Sequence, residues 1–333
     1  MQIKPELLKT IRAANQAVIL SHRSPDGDSI GSSLAICHFL NDLGVKANVI
    51  TPDPAPDFLS WIKGFDQMHN HEQHSSEVEG MIANSDLIFC LDFNSPSRVG
   101  SLEEALQANT NAYRINIDHH QEPEDFCDLQ IVDTSASSTA ELVYQFIIEL
   151  ATLETIDLAM AEAIYTGILT DTGSFRFSST SAKTHEIAAR LISIGVQPQN
   201  VHAAVYDSYS AERLRLLGYA LNEGLKLYEN DKLAIISLDD SVLKKFQFKR
   251  GDTEGLVNYP LSIKSVKISI LLTEKDGKIK MSFRSKGDMA VNGFARDHFD
   301  GGGHINAAGG ISHIGMQATI EKIEGLIDEL LKS

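Results

Sequence analysis

The stretch AVILSHRSPDGDSIGSSLAICHFLNDLG, residues 17–44, decides the fold. Its first six residues, AVILSH, form a mostly apolar run that predicts a buried strand, and the turn-forming sequence SPDG then ends that strand. Apolar residues between positions 30 and 43 recur at helical spacing, and Gly44 stands where a helix C-terminus often has glycine. A strand followed directly by a helix is the repeating unit of a parallel sheet that is covered by helices.

The same alternation continues along the first part of the chain. Further strands are predicted at 46–51 (KANVIT), 86–92 (DLIFCLD) and 113–118 (YRINID), and helices at 138–151, 157–170 and 182–194. Strands that alternate with helices are typical of an α/β fold with a mainly parallel sheet and helices on both of its faces. We therefore predict an α/β fold for this part of the chain.

The pattern changes near residue 225. Strands are predicted at 232–238, 266–274 and 279–286, with the hairpin turn signal DGK at 276–278 and a final helix over about 316–331. This pattern predicts an N-terminal domain over residues 1–195, a helical linker over 196–225 and a smaller C-terminal α/β domain over 226–333.

Charge also separates the two parts. The 333-residue chain has 29 lysines and arginines against 45 aspartates and glutamates, a net charge of -16. Residues 1–225 hold 13 basic and 30 acidic side chains, whereas residues 226–333 hold 16 and 15. An acidic protein repels phosphates, so it is poorly suited to binding long nucleic acid through counterion release. A small anionic substrate at a metal-rich site is compatible with this charge.

The cysteines and the apolar runs indicate the compartment. The three cysteines, at positions 37, 90 and 127, show no paired spacing, which fits a reducing compartment rather than a disulfide framework. The N-terminal sequence lacks the apolar core of a signal peptide, and no apolar run approaches the 18 residues of a membrane span. We therefore expect a soluble, cytoplasmic protein with no membrane partner.

Candidate metal ligands follow the carboxyl ends of three predicted strands and one helix, where α/β proteins bind their ligands. They are His22, Asp26, Asp28, Asp92, Asp118, His119, His120 and Asp171. Imidazole combined with several carboxylates suits Mn²⁺ or Mg²⁺, and there are more carboxylates than one ion needs, which indicates a two-metal site. For any one of these aspartates the alternative is a simple helix N-cap.

Five short motifs identify a family. HRSPDGDS (22–29), LDFNSPSR (91–98), DHH (118–120) and LTDTGSF (169–175), in this order, resemble the four motifs of the DHH phosphoesterase superfamily. GGGHINAAGG (301–310) resembles the signature of the DHHA1 domain. The resemblance covers nearly the whole chain and is closest to the stand-alone, RecJ-like group of bifunctional oligoribonucleases (nano-RNases) and pAp phosphatases. It implies a DHH catalytic domain followed by a DHHA1 substrate-binding domain.

The resemblance also implies two Mn²⁺ ions per chain, which Mg²⁺ could replace. One ion would bind His22, Asp26 and Asp92, and the other would bind Asp28, Asp92, His119 and Asp171, so that Asp92 bridges them. His120 would face the scissile phosphate and stabilise the charge that develops in the transition state. Asp118 would orient a ligand from behind.

A second set of residues is predicted to bind the substrate: Arg98, Arg284, Ser285, Gly301, Gly302, Gly303 and His304. The glycines would let backbone N–H groups approach an anion, while Arg284 and Ser285 offer a guanidinium and a hydroxyl to a phosphate. Arg98 could reach the leaving side of the substrate. The alternatives are a glycine-rich turn beside a basic surface strand and, for Arg98, an exposed structural arginine.

These features predict a Mn²⁺-dependent phosphoesterase. By two-metal attack of hydroxide it would hydrolyse short oligoribonucleotides to mononucleotides, pAp to AMP, or both, with the second domain holding one end of the substrate. The alternatives are a phosphodiesterase for linear or cyclic dinucleotides, a pyrophosphatase or exopolyphosphatase, and a nucleotide-binding sensor without catalysis. A RecJ-like exonuclease on long DNA is disfavoured by the acidic charge. Digestion could proceed in the 3'-5' or the 5'-3' direction, and the chain could form a homodimer.

Overall fold

The computed structural model describes residues 5–249 and 251–332. The chain divides into two compact units, unit 1 ending at Ser208 and unit 2 beginning at Tyr209. Each unit has its own β-sheet and its own hydrophobic cores.

Unit 1 is built around a parallel sheet of six strands. They are β1 (Gln16–Leu20), β2 (Lys46–Thr51), β3 (His69–Asn70), β4 (Leu87–Leu91), β5 (Tyr113–Asp118) and β6 (Leu129–Val132). Their order in the sheet is β3-β2-β1-β4-β5-β6, and every neighbouring pair is parallel. The strand order reverses between β1 and β4, and a crevice at such a switch point is where doubly wound sheets bind ligands.

Helices cover both faces of this sheet. They are α1 (Pro5–Ala13), α2 (Gly27–Asp42), α3 (His71–Ala83), α4 (Glu103–Ala108), α5 (Thr139–Leu150), α6 (Leu158–Asp171), α7 (Ala182–Ile194) and α8 (Pro198–Tyr206). Alternate residues of β1 enter different cores: Ala17 and Ile19 pack on the side of α2, α5 and α6, whereas Val18 and Leu20 pack on the side of α3 and α4. Because both faces are buried, the central strands are continuously apolar. The α/β fold predicted from the sequence is confirmed.

Helices α2 and α6 approach each other through glycines. A Cβ atom on Gly31 of α2 would overlap the carbonyl oxygen of Ala163 in α6. A Cβ atom on Gly167 of α6 would lie 2.5 Å from the Cβ of Ala140 and 2.8 Å from Oδ1 of Asp28. The two helices are therefore in backbone contact close to the start of α2 and the end of α6.

The described residues of unit 2 form a mixed sheet and five α-helices. Its strands are β7 (Leu225–Tyr228), β8 (Leu233–Leu238), β9 (Ile268–Lys275), β10 (Lys278–Ser285), β11 (Gly302–His304) and β12 (Ala307–Ser312). Its helices are α9 (Ala211–Tyr219), α10 (Asp240–Lys245), α11 (Asn292–His298), α12 (Met316–Gly325) and α13 (Ile327–Leu330). The sheet order is β11-β12-β10-β9-β8-β7, with β8 and β9 parallel and all other neighbours antiparallel.

The hairpin between β9 and β10 is the one that the sequence predicted. Lys275 pairs with Lys278, and the two residues between them, Asp276 and Gly277, both have positive φ, at 51° and 73°. That geometry belongs to a two-residue type I′ turn, for which Asp-Gly is a preferred sequence. None of the helices in the described parts of the chain combines the length and apolar character needed to cross a membrane.

Replacing Gly31 by alanine is expected to lower the free energy of unfolding of unit 1 by about 2–3 kcal/mol, because the added methyl group forces α2 away from α6. Gly80 on α3 provides the matched control, since no atom lies within 4 Å of the position that its Cβ would take. Gly80→Ala should raise stability by roughly 0.5–1 kcal/mol. Urea unfolding followed by circular dichroism measures both changes. Equal stabilities of Gly31→Ala and the wild type would show that the glycine contact is dispensable.

Candidate functional site

A cluster of carboxylates and imidazoles lies at the carboxyl edge of the unit 1 sheet. It is formed by the segments that follow β1, β4 and β5 and by the last residue of α6. Among the described residues of unit 1, ligand atoms within 4.8 Å of one another define three groups: His22, Asp26 and Asp92; Asp28, His119 and Asp171; and Asp92, Asp118 and His120. The structure therefore brings together the eight predicted residues of this cluster at the switch point of the sheet.

Asp26 belongs both to the cluster and to a helix cap. Its Oδ1 atom accepts hydrogen bonds from the backbone N–H groups of Asp28 and Ser29, at 3.1 and 3.0 Å, and thereby caps the N-terminus of α2. Its Oδ2 atom lies 3.8 Å from Nε2 of His22. Helix capping and metal binding, the two interpretations that the sequence left open for Asp26, are therefore compatible. Capping uses Oδ1 and leaves Oδ2 for a metal.

His22 and His119 turn the same ring atom, Nε2, towards carboxylates. Nδ1 of His22 lies 2.8 Å from the carbonyl oxygen of Arg23, and Nδ1 of His119 lies 3.4 Å from that of Ala136. Because a carbonyl oxygen can only accept, Nδ1 of each ring carries a proton, and Nε2 is the atom turned towards the carboxylates. Nε2 of His22 is 3.3 Å from Oδ2 of Asp92. This arrangement is common for histidines that bind metals.

His119 stands among three carboxylates. Its Nε2 atom lies 3.5 Å from Oδ2 of Asp171, 3.6 Å from Oδ1 of Asp92 and 3.8 Å from Oδ2 of Asp28. These distances are too long for direct hydrogen bonds. They are suitable for atoms that surround a common cation, and a ligand set of imidazole and carboxylate fits Mn²⁺ or Mg²⁺.

Asp92 occupies an unusual backbone position between the groups. Its φ of 65° is in the left-handed region, which is uncommon for a residue with a side chain and costs on the order of 1–3 kcal/mol. Asn116 of β5 holds this turn, because its Nδ2 atom donates to the carbonyl oxygens of Cys90 and Phe93, both at 3.0 Å. Oδ2 of Asp92 faces His22, while its Oδ1 faces His119. The turn therefore directs one oxygen of the Asp92 carboxylate at His22 and the other at His119.

Asp28 is held by the start of α5. Its Oδ2 and Oδ1 atoms accept hydrogen bonds from the backbone N–H groups of Thr139 and Ala140, at 2.7 and 2.9 Å. The N-terminus of a helix carries a partial positive charge that stabilises a nearby carboxylate. Only 2% of Asp28 is exposed, so both oxygens are fixed in the interior by backbone groups.

Asp118 contacts His120 rather than a predicted metal ligand. Nδ1 of His120 lies 2.7 Å from Oδ1 of Asp118, and the other carboxylate oxygen, Oδ2, is buried without a hydrogen-bond partner among the described residues. Burial would raise the pKa of Asp118, but the hydrogen bond and the charge of His120 outweigh it and lower the pKa. The carboxylate of Asp118 therefore fixes the orientation of the His120 ring.

Burial and mutual proximity raise the pKa values of two carboxyl groups in the cluster, those of Asp28 and Asp92. Burial, and then the charge of Asp171, raises the pKa of Asp28 to about 7. Burial, and then the charge of Asp28, raises the pKa of Asp92 well above its usual value. Burial lowers the pKa of His22, so that its ring is neutral, and the nearby guanidinium of Arg98 acts in the same direction. The site therefore needs positive charge, which either protons or a metal cation can supply.

Arg98 lies beside this cluster. It belongs to the 3₁₀ segment 96–102 that follows β4, and its Nε atom is buried without a hydrogen-bond partner among the described residues. A guanidinium next to a cluster of carboxylates and imidazoles suits an anionic substrate. Arg98 is partly exposed.

The predicted substrate residues of unit 2 lie on one half of its sheet. Arg284 is on β10 and is partly buried. The hydroxyl of Ser285 donates to the carbonyl oxygen of Met289 at 2.6 Å and accepts from Nδ2 of Asn306 at 2.9 Å. The one hydroxyl proton of Ser285 is therefore used inside unit 2. In this arrangement the hydroxyl cannot donate a hydrogen bond to a phosphate.

The GGGH segment forms a strand edge and not a loop. Gly302, Gly303 and His304 make up β11, which pairs with β12 at one end of the sheet. A Cβ atom on Gly301 would overlap the carbonyl oxygen of Gly309, and one on Gly303 would lie 2.6 Å from that of Ala307. Close backbone packing thus accounts for these glycines, while the N–H groups on the outer edge of β11 remain compatible with anion binding.

Two contributors were not anticipated from the sequence. Asn116 clamps the turn that carries Asp92, and Thr139 donates from its hydroxyl to Oδ1 of Asp92 at 2.8 Å. Thr139 follows β6, a strand that the sequence analysis did not predict. Recognition of β6 would have placed the SSTAE sequence (137–141) at the same sheet edge as the other candidates.

Comparison with known proteins identifies two domains. Residues 16–168 match the model of the DHH family N-terminal domain, and residues 230–332 match that of the DHHA1 domain. The chain is 30% identical over 338 residues to the bifunctional oligoribonuclease and PAP phosphatase NrnA of Thermus thermophilus, covering 100% of this chain and 95% of that protein.

Two solved structures are similar to this one. An exopolyphosphatase-related protein from Bacteroides fragilis superposes with a TM-score of 0.92 at 39% identity, over 98% of this chain and 97% of that one. RecJ from Thermus thermophilus in complex with Mn²⁺ has a TM-score of 0.57 at 12% identity, over 99% of this chain and 54% of that one, which shows a shared fold. The chain therefore belongs to the DHH family of phosphoesterases, a family of hydrolases, and combines a DHH domain with a DHHA1 domain.

Proposed function

We propose that this protein is a Mn²⁺-dependent phosphoesterase that hydrolyses short oligoribonucleotides and pAp. The observation that carries the proposal is the orientation of His22 and His119, whose Nε2 atoms face carboxylate oxygens at 3.3–3.8 Å. Carboxylates and imidazole nitrogens gathered in the protein interior need positive charge between them, and a divalent cation supplies it at several of these atoms at once. The substrates are those in the name of the Thermus thermophilus relative, which is similar over the whole chain.

The donor set fits two divalent cations. His22, Asp26 and Asp92 would hold one, and Asp28, Asp92, His119 and Asp171 would hold the other, with the two oxygens of Asp92 directed at different groups. Bound together, two such cations activate water and neutralise the charge of a phosphoryl oxygen. Mg²⁺ would satisfy the same oxygen-rich set.

The remaining residues would bind and polarise the substrate. Asp118 accepts from Nδ1 of His120, so the substrate-facing role would fall to Nε2 of His120, which can stabilise negative charge on a phosphoryl oxygen. The guanidinium of Arg98 would bind a second phosphate oxygen. Arg284 on unit 2 would also bind phosphate.

Charge supports short substrates over long ones. Residues 1–225 carry 13 basic against 30 acidic side chains, so this part of the chain offers no continuous basic surface to a long strand. The similarity to an exopolyphosphatase-related protein supports inorganic polyphosphate as a second candidate substrate. Polyphosphate has phosphates but no ribose or base, and a direct comparison therefore separates the two proposals.

The proposal predicts a substrate order that one parallel assay measures. With Mn²⁺ present, RNAs of two to five nucleotides should release mononucleotides and pAp should release AMP, whereas a 24-mer of single-stranded DNA should remain intact. Inorganic polyphosphate and pyrophosphate serve as comparison substrates under the same conditions. Faster phosphate release from polyphosphate than from the short RNAs and pAp would favour the second candidate. Preferred digestion of the 24-mer would contradict the argument from charge.

Asp92→Asn is expected to lower kcat by about a thousandfold or more. The substitution keeps the size of the side chain but removes an anionic ligand from each of the two proposed metal sites. Asp66→Asn, a change at an exposed aspartate of the same unit, is the control and should keep wild-type activity. Steady-state kinetics on pAp at saturating Mn²⁺ provides the measurement. More than a tenth of the wild-type kcat in Asp92→Asn would contradict a central role for this carboxylate.

Stability of the metal-free protein should fall as the pH rises. An aspartate whose pKa is raised from 3.8 to about 7 in the folded state keeps its proton there while the unfolded chain has lost it. Stability from Asp28 is therefore present below pH 4 and is lost as the pH rises to about 7, by roughly 2 kcal/mol between pH 5.5 and 7.

Thermal unfolding in the presence of a chelator, at pH 5.5 and 7, tests this expectation. Asp28→Asn cannot titrate at this position, so its loss of stability over the same interval should be smaller than that of the wild type. Addition of Mn²⁺ at pH 7 should restore stability to the wild type, because the cation replaces the missing proton. Identical pH profiles for the wild type and Asp28→Asn would contradict the raised pKa.

A further inference from the structure

We infer that Thr139 is a positioning residue, which holds Asp92 and Asp28 in the arrangement needed to bind divalent metal. The inference deepens the proposed function and rests on it. Thr139 is the first residue of α5, is completely buried and lies outside the five motifs that identify the family. Its hydroxyl joins the cluster through a hydrogen bond to Asp92.

Thr139 contacts two cluster carboxylates through different atoms. Its hydroxyl donates to Oδ1 of Asp92 at 2.8 Å, and its backbone N–H donates to Oδ2 of Asp28 at 2.7 Å. In the sequence, it is 47 residues from Asp92 and 111 residues from Asp28. One residue therefore connects the segment after β4 to the first turn of α2, and it fixes the separation of two carboxylates that repel each other.

The hydroxyl of Thr139 is directed across the site and not along its own helix. The hydroxyls of Thr166, Thr170 and Thr319 donate to backbone carbonyl oxygens four residues earlier in the chain, whereas that of Thr184, near the start of α7, also reaches a distant carboxylate, that of Glu141 at 2.9 Å. At the first helical position no such carbonyl belongs to the helix, so the hydroxyl of Thr139 can be used across the site. The capping role is already filled, because the side chain of Ser138 accepts from the N–H of Glu141 at 3.1 Å.

The contact also determines how Asp92 presents its oxygens. With Oδ1 bound to the hydroxyl, rotation of the carboxylate would break a buried hydrogen bond, so Oδ2 stays directed at Nε2 of His22, 3.3 Å away. Threonine is suited to this task because its branched Cβ restricts χ1, which holds the hydroxyl in one direction. Loss of the hydroxyl should therefore loosen Asp92 without removing any metal ligand.

Three variants test this inference. Thr139→Val keeps the shape but removes the hydroxyl, Thr139→Ser keeps the hydroxyl, and Thr319→Val removes a buried hydroxyl from unit 2 as the matched control. Calorimetric titration of the chelator-treated full chain with Mn²⁺ gives the dissociation constant. Kinetics on pAp gives kcat and KM, and thermal unfolding without metal gives stability.

Thr139→Val should weaken Mn²⁺ binding by roughly 10- to 100-fold and lower kcat by a similar factor at fixed subsaturating Mn²⁺, with KM for pAp unchanged within about twofold. Thr139→Ser should recover Mn²⁺ affinity to within about threefold of wild type, and Thr319→Val should bind Mn²⁺ as the wild type does. A Thr139→Val protein that is less stable but binds Mn²⁺ with wild-type affinity would overturn the inference, because the role of Thr139 would then be structural only.

The metal titration keeps this test separate from the proposed function. If the wild type binds Mn²⁺ but hydrolyses none of the substrates offered, the proposed substrates are wrong, and the comparison of the Thr139 variants by titration still stands. If the wild type hydrolyses pAp and Thr139→Val is unaffected in both Mn²⁺ affinity and kcat, the function stands and the inference about Thr139 fails.

Discussion

Electrostatic repulsion among buried carboxylates is the constraint on which the rest of unit 1 depends. Asp28 and Asp92 are each 2% exposed, and Asp26 and Asp171 lie beside them. Their charges cannot all remain unpaired in the interior, so protons or cations must compensate them. The raised pKa values of Asp28 and Asp92 are the response of the metal-free protein to this constraint.

The surrounding fold keeps these carboxylates together in spite of the repulsion. The N-terminus of α5 binds Asp28, Asn116 clamps the turn that carries Asp92, and Asp26 is tied to α2 by its capping bonds. Each of these contacts uses a backbone group or a buried side chain, which does not rearrange easily. The free energy of folding thus maintains an arrangement that favours metal binding, as expected for a site whose ligands are oriented by their supporting contacts.

Local sequence patterns were sufficient to predict β1, β2, β4 and β5 of the central sheet and the residues at their ends. Apolar runs followed by His22, Asp92 and Asp118 locate the cluster, because parallel strands bring their carboxyl ends to one edge. The arrangement of the individual atoms depends on contacts between distant segments. The partnership of Asp118 with His120 and the bond from Thr139 to Asp92 have no local signature, so they became visible only in three dimensions.

The short strands β3, β6 and β11 were not predicted, for a related reason. Strand β3 has two residues, and β6 is a four-residue edge strand with mostly half-buried side chains, so neither has a strong apolar pattern. Strand β11 consists of glycines and a histidine, which are typical of a turn, but backbone packing against β12 makes it a strand. In each case the pairing partner, rather than the composition, determines the structure.

The glycine contact between α2 and α6 fixes the spacing of two carboxylates that come from different helices. Gly31 lies one turn after Asp28, and Gly167 lies one turn before Asp171, so the separation of these carboxylates follows from backbone contact. Helices already in contact cannot move closer, and separating them would expose the buried interface. The spacing is thus a property of the backbone, and it would persist through most changes to the side chains around it.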